Sequence, residues 1–375
     1  MKKLIKWLLT IFITLALLIF IAIIIVPKMT PSFGAPAKGK YLERIKSSVN
    51  YKEGSFTNLL PTPMNTSGDS FFNTFLKFIR GGEDRKPKNV IQTSPFDKAH
   101  YSSADTSLSV TWFGHSTVLL KTGGKTLLID PVFSDHASPF PFMGPRSFPY
   151  SQEYAIEDLP DIDAVLISHD HYDHLDYETI RKLNEKVSKF FVPLGLAAHL
   201  MRWNVPEANI YEMDWWDEVT FDNLLFACVP MRHFSGRAIT DRNSTLWAGW
   251  VIQSENRTVI HTGDSGYGPH FKKIGEKYGP FDLTMVECGQ YNESWKLIHM
   301  MPEETVQAHL DMQGKFLIPI HWGRFNLALH PWKDPVLRVS AAAIENNVAL
   351  ITPVVGKTFT LNPPPQKSEW WRNIN

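Results

Sequence analysis

Ala164-Val165-Leu166-Ile167-Ser168, followed by His169-Asp170-His171-Tyr172-Asp173-His174, is the stretch on which the fold turns. The first part is an apolar β run of the buried type, and the second carries three imidazoles and a carboxylate of ligand type. A chain leaving a strand end presents alternate residues to one side. His169 and His171 can therefore share one cation, while Asp173 and His174 reach a second a few ångströms away. A solvated loop that happens to be rich in histidine is the plain alternative, and it weakens because ligand-type residues recur after other strands.

His233 follows the apolar run Leu224–Val229, and His321 follows Phe316–Ile320. Asp264 lies in His261-Thr262-Gly263-Asp264-Ser265-Gly266-Tyr267, just past Thr258–His261. Each alone reads as a packed histidine or a turn aspartate. Together they complete a two-metal site: His233 joins His169 and His171, His321 joins Asp173 and His174, and Asp264 bridges both cations. Two zinc ions suit this donor set, and iron or manganese also fits.

The remaining signals alternate strand with helix. Thr117–Lys121 and Thr126–Ile129 flank Gly123-Gly124, a hairpin pattern that ends in Asp130-Pro131. Lys189–Val192 reads as a strand, with a helical pattern over Tyr177–Lys186 before it. Trp247–Gln253 and Thr258–His261 read as a pair joined across Ser254-Glu255-Asn256, and Pro302 opens a helix carrying Val306, His309 and Leu310. No solenoid or propeller period appears. The expectation is one layered α/β domain over 108–362.

The run at 169–174 with its distant His, Asp and His partners resembles the signature of the metallo-β-lactamase superfamily. Thr111-Trp112-Phe113-Gly114-His115-Ser116-Thr117, Ile129-Asp130-Pro131-Val132-Phe133-Ser134, Asp241-Arg242-Asn243-Ser244-Thr245-Leu246-Trp247 and His321-Trp322-Gly323 further resemble its N-acylphosphatidylethanolamine-hydrolysing phospholipase D branch. The resemblance implies an αβ/βα sandwich, a dinuclear zinc centre at its edge held by the seven residues above, and a phospholipid substrate. A hydroxide shared by two zinc ions is a strong nucleophile at neutral pH. Asp264 would steer it and take its proton, and Asp130 would orient a ligand imidazole or simply form the turn before Pro131. His299, ahead of the helix at Pro302, matches a position that touches substrate phosphate; a surface loop histidine is the plain reading. Tyr172 is open to two roles, a hydrogen bond to a bound oxyanion or packing. Arg232, Arg237 and Arg242 flank His233 and read by default as structural or solvated. The implied reaction is phospholipase D-type hydrolysis, the alternative being another ester such as a phosphorylated-sugar lactone or a cyclic phosphodiester.

The 375 residues hold 38 Lys+Arg against 38 Asp+Glu, a net charge of zero that offers nothing to attract nucleic acid. With 43% hydrophobic and 20% charged residues the chain is neither disordered nor fibrous. Cys228 and Cys288 are too few for a disulfide framework or thiolate cage and read as core residues. From Trp7 to Val26 no charge occurs, enough for a helix to cross about 30 Å of hydrocarbon, so 1–27 is expected to be an uncleaved single-pass anchor in the cell membrane. A short basic tail of Lys2, Lys3 and Lys6 would stay inside and place the catalytic domain outside. Residues 28–107 read as a linker and wrapping segment. Within it Asp69 or Ser70 caps a short helix that bears Phe72, Phe75, Leu76 and Ile79 on one face and stops at Gly81-Gly82. That stripe docks on the core or lines an acyl site. The tail 363–375, with Trp370-Trp371, is expected to be a surface extension, its tryptophans packed locally or at a lipid interface. A homodimer is left open.

Overall fold

Leu127, Leu128 and Ile129 are consecutive and all buried. Successive side chains of a strand point to opposite faces, so this strand has to be covered on both sides. The computed structural model shows by what; it describes residues 2–68, 70–103, 106–366 and 368–374, without the side chains of residues 71, 72 and 75. Leu127 and Ile129 join a core shared with Phe226, Cys228, Trp250 and Met285 of a second sheet. Leu128 faces the other way, toward Ile180, Leu183 and Leu200 of two covering helices. Cys228 and Cys288 are both free and buried.

Each of the two large sheets has seven strands, and Tyr51–Lys52 pairs with Ser55–Phe56 in a separate two-stranded one. The first runs Thr358–Thr360, Ser109–Trp112, Val118–Thr122, Lys125–Ile129, Ile162–Leu166, Val187–Pro193, Ile210–Met213 in spatial order. The second runs Ala349–Leu350, Gly314–Ile320, Phe281–Glu287, Thr258–His261, Ala248–Gln253, Leu224–Pro230, Glu218–Phe221. Helices Tyr177–Leu183 and Ala197–Arg202 cover the first sheet; His270–Tyr278, Pro302–Asp311 and Asp334–Glu345 pack with the second. This is the αβ/βα sandwich the sequence implied. The expected hairpin turns at Gly123 and Gly124, whose φ of 56° and 76° is the left-handed pair a two-residue turn of this hand requires. In each large sheet four strands are parallel, Lys125–Ile129 with its next three neighbours and Thr258–His261 with its next three. Their carboxyl ends therefore open at one edge, where ligands gather in sheets of this kind.

Lys2–Met29 forms one continuous helix of 28 residues, mean hydropathy 3.3, long and apolar enough to cross a membrane. Its end is held by the domain: Trp203 Nε1 donates to Pro31 O at 2.8 Å and Arg202 Nη2 to Lys28 O at 2.7 Å. The chain then lies along the sandwich and buries Ile45, Phe56 and Ile91. The helix Phe71–Arg80 is capped by Ser70, whose hydroxyl accepts from Asn73 N at 3.1 Å. Asp69 and the side chains of Phe72 and Phe75 lie outside the described residues. Ile79, on the same stripe, is 63% exposed, so that end of the face is not docked on the core. The tail is: Trp371 is 1% exposed, and Trp370 stacks on Trp322 at 5.5 Å.

Candidate metal centre

The ligand-type residues sit where strands run out. His169, His171, Asp173 and His174 follow Ile162–Leu166, His233 follows Leu224–Pro230, Asp264 follows Thr258–His261 and His321 follows Gly314–Ile320. Side-chain donors of His169, His171, His233 and Asp264 lie within 4.8 Å of one another, and so do those of His115, Asp173, His174 and His321. Asp264 spans the two groups: Oδ2 lies 3.6 Å from His233 Nε2 and 3.3 Å from His321 Nε2, and Oδ1 lies 3.2 Å from His174 Nε2. All seven expected residues converge. Gly289 permits the approach of the His321 strand end, since a Cβ there would stand 2.0 Å from His321 O.

The chemistry of the donor set fits a pair of cations. His169 Nε2, His171 Nδ1 and His233 Nε2 crowd together, at 2.8 Å and 3.3 Å in succession. Burial drives the His169 and His233 rings well below the usual histidine pKa, which leaves neutral nitrogens whose lone pairs meet at one point. Burial alone would raise Asp264, but the surrounding imidazoles, His174 foremost, outweigh it and hold its carboxyl well below the usual range. His174 Nε2 and Asp264 Oδ1 are buried with no hydrogen-bond partner. Convergent bare nitrogens and an ionised carboxylate without donors are what a metal would satisfy.

The ligands are themselves held. Asp130 Oδ2 accepts from His174 Nδ1 at 2.8 Å, as the sequence reading of Asp130 expected, and His233 Nδ1 donates to Ile298 O at 2.9 Å. His299 lines the same space: its ring is 5.0 Å from that of His233 and 5.2 Å from that of His321, and its Nδ1 lies 2.9 Å from Glu287 Oε1. Tyr172 is the one expected site residue that the structure takes elsewhere. Its hydroxyl donates to Arg237 O at 2.7 Å and its ring lies under the Arg237 guanidinium at 4.1 Å, a packing role. Arg237 is buried and donates to Ser32 O and Leu175 O, and Arg232 donates to Pro61 O and Tyr267 O, so both are structural. Arg242 differs, lying over the Phe234 ring at 4.8 Å on the wall of the cavity above the cluster.

Two residues escaped the sequence reading. His115 Nε2 stands 2.8 Å from Asp173 Oδ2, inside the second ligand group. Its signal was present, in the Gly114-His115-Ser116 motif. Glu287, fully buried at the end of Phe281–Glu287, was missed because that strand was. The cavity over the cluster has a volume of about 420 Å³, and Met64, Phe234, Trp295, Ile298 and Leu327 give it an apolar wall. Thr74 brings the helix Phe71–Arg80 to its side.

Comparison with known proteins agrees with this geometry. Residues 125–322 match the beta-lactamase superfamily domain. An uncharacterised protein of Mycobacterium tuberculosis is 42% identical over 333 residues, covering 87% of this chain and 88% of its own. N-acyl-phosphatidylethanolamine-hydrolyzing phospholipase D 1 of Caenorhabditis elegans is 37% identical over 59% of this chain and 65% of its own length. The mitochondrial enzyme of that name from Saccharomyces cerevisiae is 30% identical over 60% and 49%. Among solved structures, a metallo hydrolase from Ignicoccus hospitalis superposes with a TM-score of 0.53 at 20% identity, over 68% of this chain and 98% of its own. Fold, ligand placement and sequence thus agree that the chain belongs to the metallo-β-lactamase superfamily of metal-dependent hydrolases.

Proposed function

We propose that the protein is a membrane-anchored, zinc-dependent phosphodiesterase of phospholipase D type, hydrolysing N-acylphosphatidylethanolamine or a related phospholipid. The observation that carries this reading is the cavity over the ligand cluster. One wall is apolar and fit for an acyl chain, and the same space presents Arg242 and His299, cationic or hydrogen-bonding groups fit for a phosphate. The names of the nematode and yeast relatives support the substrate class. The helix Lys2–Met29 supports an anchor that confines the enzyme to the surface carrying its substrate.

Two zinc ions, held by His169, His171 and His233 on one side and Asp173, His174 and His321 on the other with Asp264 between, would supply an activated water and neutralise charge on the phosphodiester. Asp264 is ionised and faces both groups, which places it to take the proton of the attacking water. Glu287 engages Nδ1 of His299 and so leaves Nε2 for a phosphate oxygen. Arg242 pairs with the same phosphate, while Phe234 and Trp295 exclude water from the acyl side.

The test is turnover of N-acylphosphatidylethanolamine by the full-length protein in detergent, with metal content measured on the same sample and a chelated control. Chelator-sensitive release of phosphatidic acid at about two zinc ions per chain is expected. The double variant His169→Ala, Asp264→Asn should abolish it with the fold retained. A metal-loaded wild type that releases nothing would overturn the substrate and turn the search to other esters.

A further inference from the structure

Arg324 faces a second cavity that the ligand cluster does not touch. It has a volume of about 690 Å³; Phe133, Tyr150 and Tyr154 form part of its wall, and its exposed rim carries the cations Lys86 and Arg146 beside the carboxylates Asp135 and Glu153. Arg324 itself is only 6% exposed. Its Nη1 and Nη2 reach Phe113 O and Ser134 O at 3.4 Å each, the long limit of a hydrogen bond, and its Nε has no partner. Asp176 and Asp135 act on it only through space, and burial lowers its pKa. Asp135 is turned to Arg146, at 4.0 Å.

Arg237 is the internal comparison. It is also buried and also leaves one nitrogen over, but Ser32 O and Leu175 O accept from it at 2.8 Å and Tyr172 covers its face at 4.1 Å. That is an arginine satisfied by the fold. Arg324 has the Tyr150 and Phe325 rings only at 5.7 and 5.5 Å; a buried guanidinium whose hydrogen bonds are two long ones, open to a cavity and without a carboxylate at contact distance, has an unmet need for an anion. The space is far larger than a bare ion requires and matches small-molecule sites, which span about 300–1000 Å³.

We propose that this cavity binds an oxyanion, a carboxylate or phosphate carried on an aromatic or aliphatic body, at a site separate from the metal centre. Arg324 supplies the forked donor, the aromatic wall takes the body, and Lys86 and Arg146 draw the anion in. The experiment is calorimetric titration of the full-length, metal-loaded protein with phenyl phosphate, benzoate and inorganic phosphate. It compares wild type, Arg324→Gln, Lys86→Glu and His169→Ala, with circular dichroism checking the fold of each and metal content that of the variants outside the ligand cluster. A binding event that survives His169→Ala, disappears in Arg324→Gln and weakens several-fold in Lys86→Glu supports the site. Tighter binding of phenyl phosphate assigns phosphate and tighter binding of benzoate assigns carboxylate. Should Arg324→Gln lose its metal with its fold, Lys86→Glu decides alone. No binding in His169→Ala, or binding indifferent to the Arg324 and Lys86 changes, would overturn the proposal.

Discussion

Asp130 and His174 meet at 2.8 Å, Oδ2 to Nδ1, and both side chains are fully buried. Ser168 donates to the same carboxylate twice, from its backbone N at 2.7 Å and its hydroxyl at 2.6 Å. The strand Lys125–Ile129 thereby fixes a ligand carried by its neighbour Ile162–Leu166, with Asp130 in left-handed backbone at φ 44°.

Asp130→Asn is expected to unseat His174 without emptying the space. The amide keeps an acceptor for Ser168 N but offers a donor to Nδ1, which forces the imidazole proton onto Nε2, the nitrogen that faces Asp264. Metal affinity or turnover should fall about 10- to 100-fold. Metal titration against a chelator of known affinity, with circular dichroism to confirm the fold, checks it; unchanged affinity would make Asp130 only a turn-former.

His115→Ala should act on one cation more than the other. His115 stands with Asp173, His174 and His321, and its contact with Asp173 Oδ2 at 2.8 Å is the shortest in that group. His169, His171 and His233 have no part in it. Metal content is expected to drop from about two per chain toward one. Loss of both ions together, or of neither, would contradict a role confined to the second group.

Which parts of this were legible beforehand follows from where the information lies. The ligand strands announced themselves because an apolar run ending in His or Asp is local in the sequence. Phe281–Glu287 did not, since Asp282, Thr284 and Glu287 interrupt its apolar pattern while it sits in the middle of a sheet. Its Thr284 hydroxyl meets His309 Nδ1 at 2.7 Å and Glu287 meets His299, partners distant in sequence. His115 and His321 both lie at positive φ, 53° and 68°; His321 N donates to His115 O and His115 N to Trp322 O. Such backbone placement leaves no mark in residue periodicity. Tyr172 misled because its neighbours on both sides are ligands, whereas the chain turns there and its own ring lies against Arg237.

The tail is expected to be part of the core, and Trp371→Ala should show it. Trp371 is 1% exposed and meets Trp322 edge-on at 6.0 Å, while Trp370 stacks on the same ring. Removing a buried indole costs about 3–5 kcal/mol. A drop of that size in denaturant-measured stability is expected. A change below about 1 kcal/mol would return the tail to the surface.

Glu212 makes stability depend on pH at a point away from the metal centre. It is 5% exposed; Oε1 accepts from Gly195 N at 2.8 Å and Ala197 N at 3.0 Å, while Oε2 has no partner. Burial, only partly offset by those two bonds, pushes its pKa from 4.5 up to about 7. The folded chain therefore keeps a proton that the unfolded chain has already lost between these values. Stability is full below about 4.5, falls as pH rises toward 7 and levels off above it. The shift corresponds to about 3 kcal/mol. Glu212→Gln keeps an acceptor for both N–H groups and cannot ionise, so its stability should change less between pH 5 and pH 8 than that of the wild type by about that amount. Denaturant unfolding of both proteins in the same detergent at the two pH values measures the difference, and parallel pH dependence would mean that Glu212 is ionised in the folded protein.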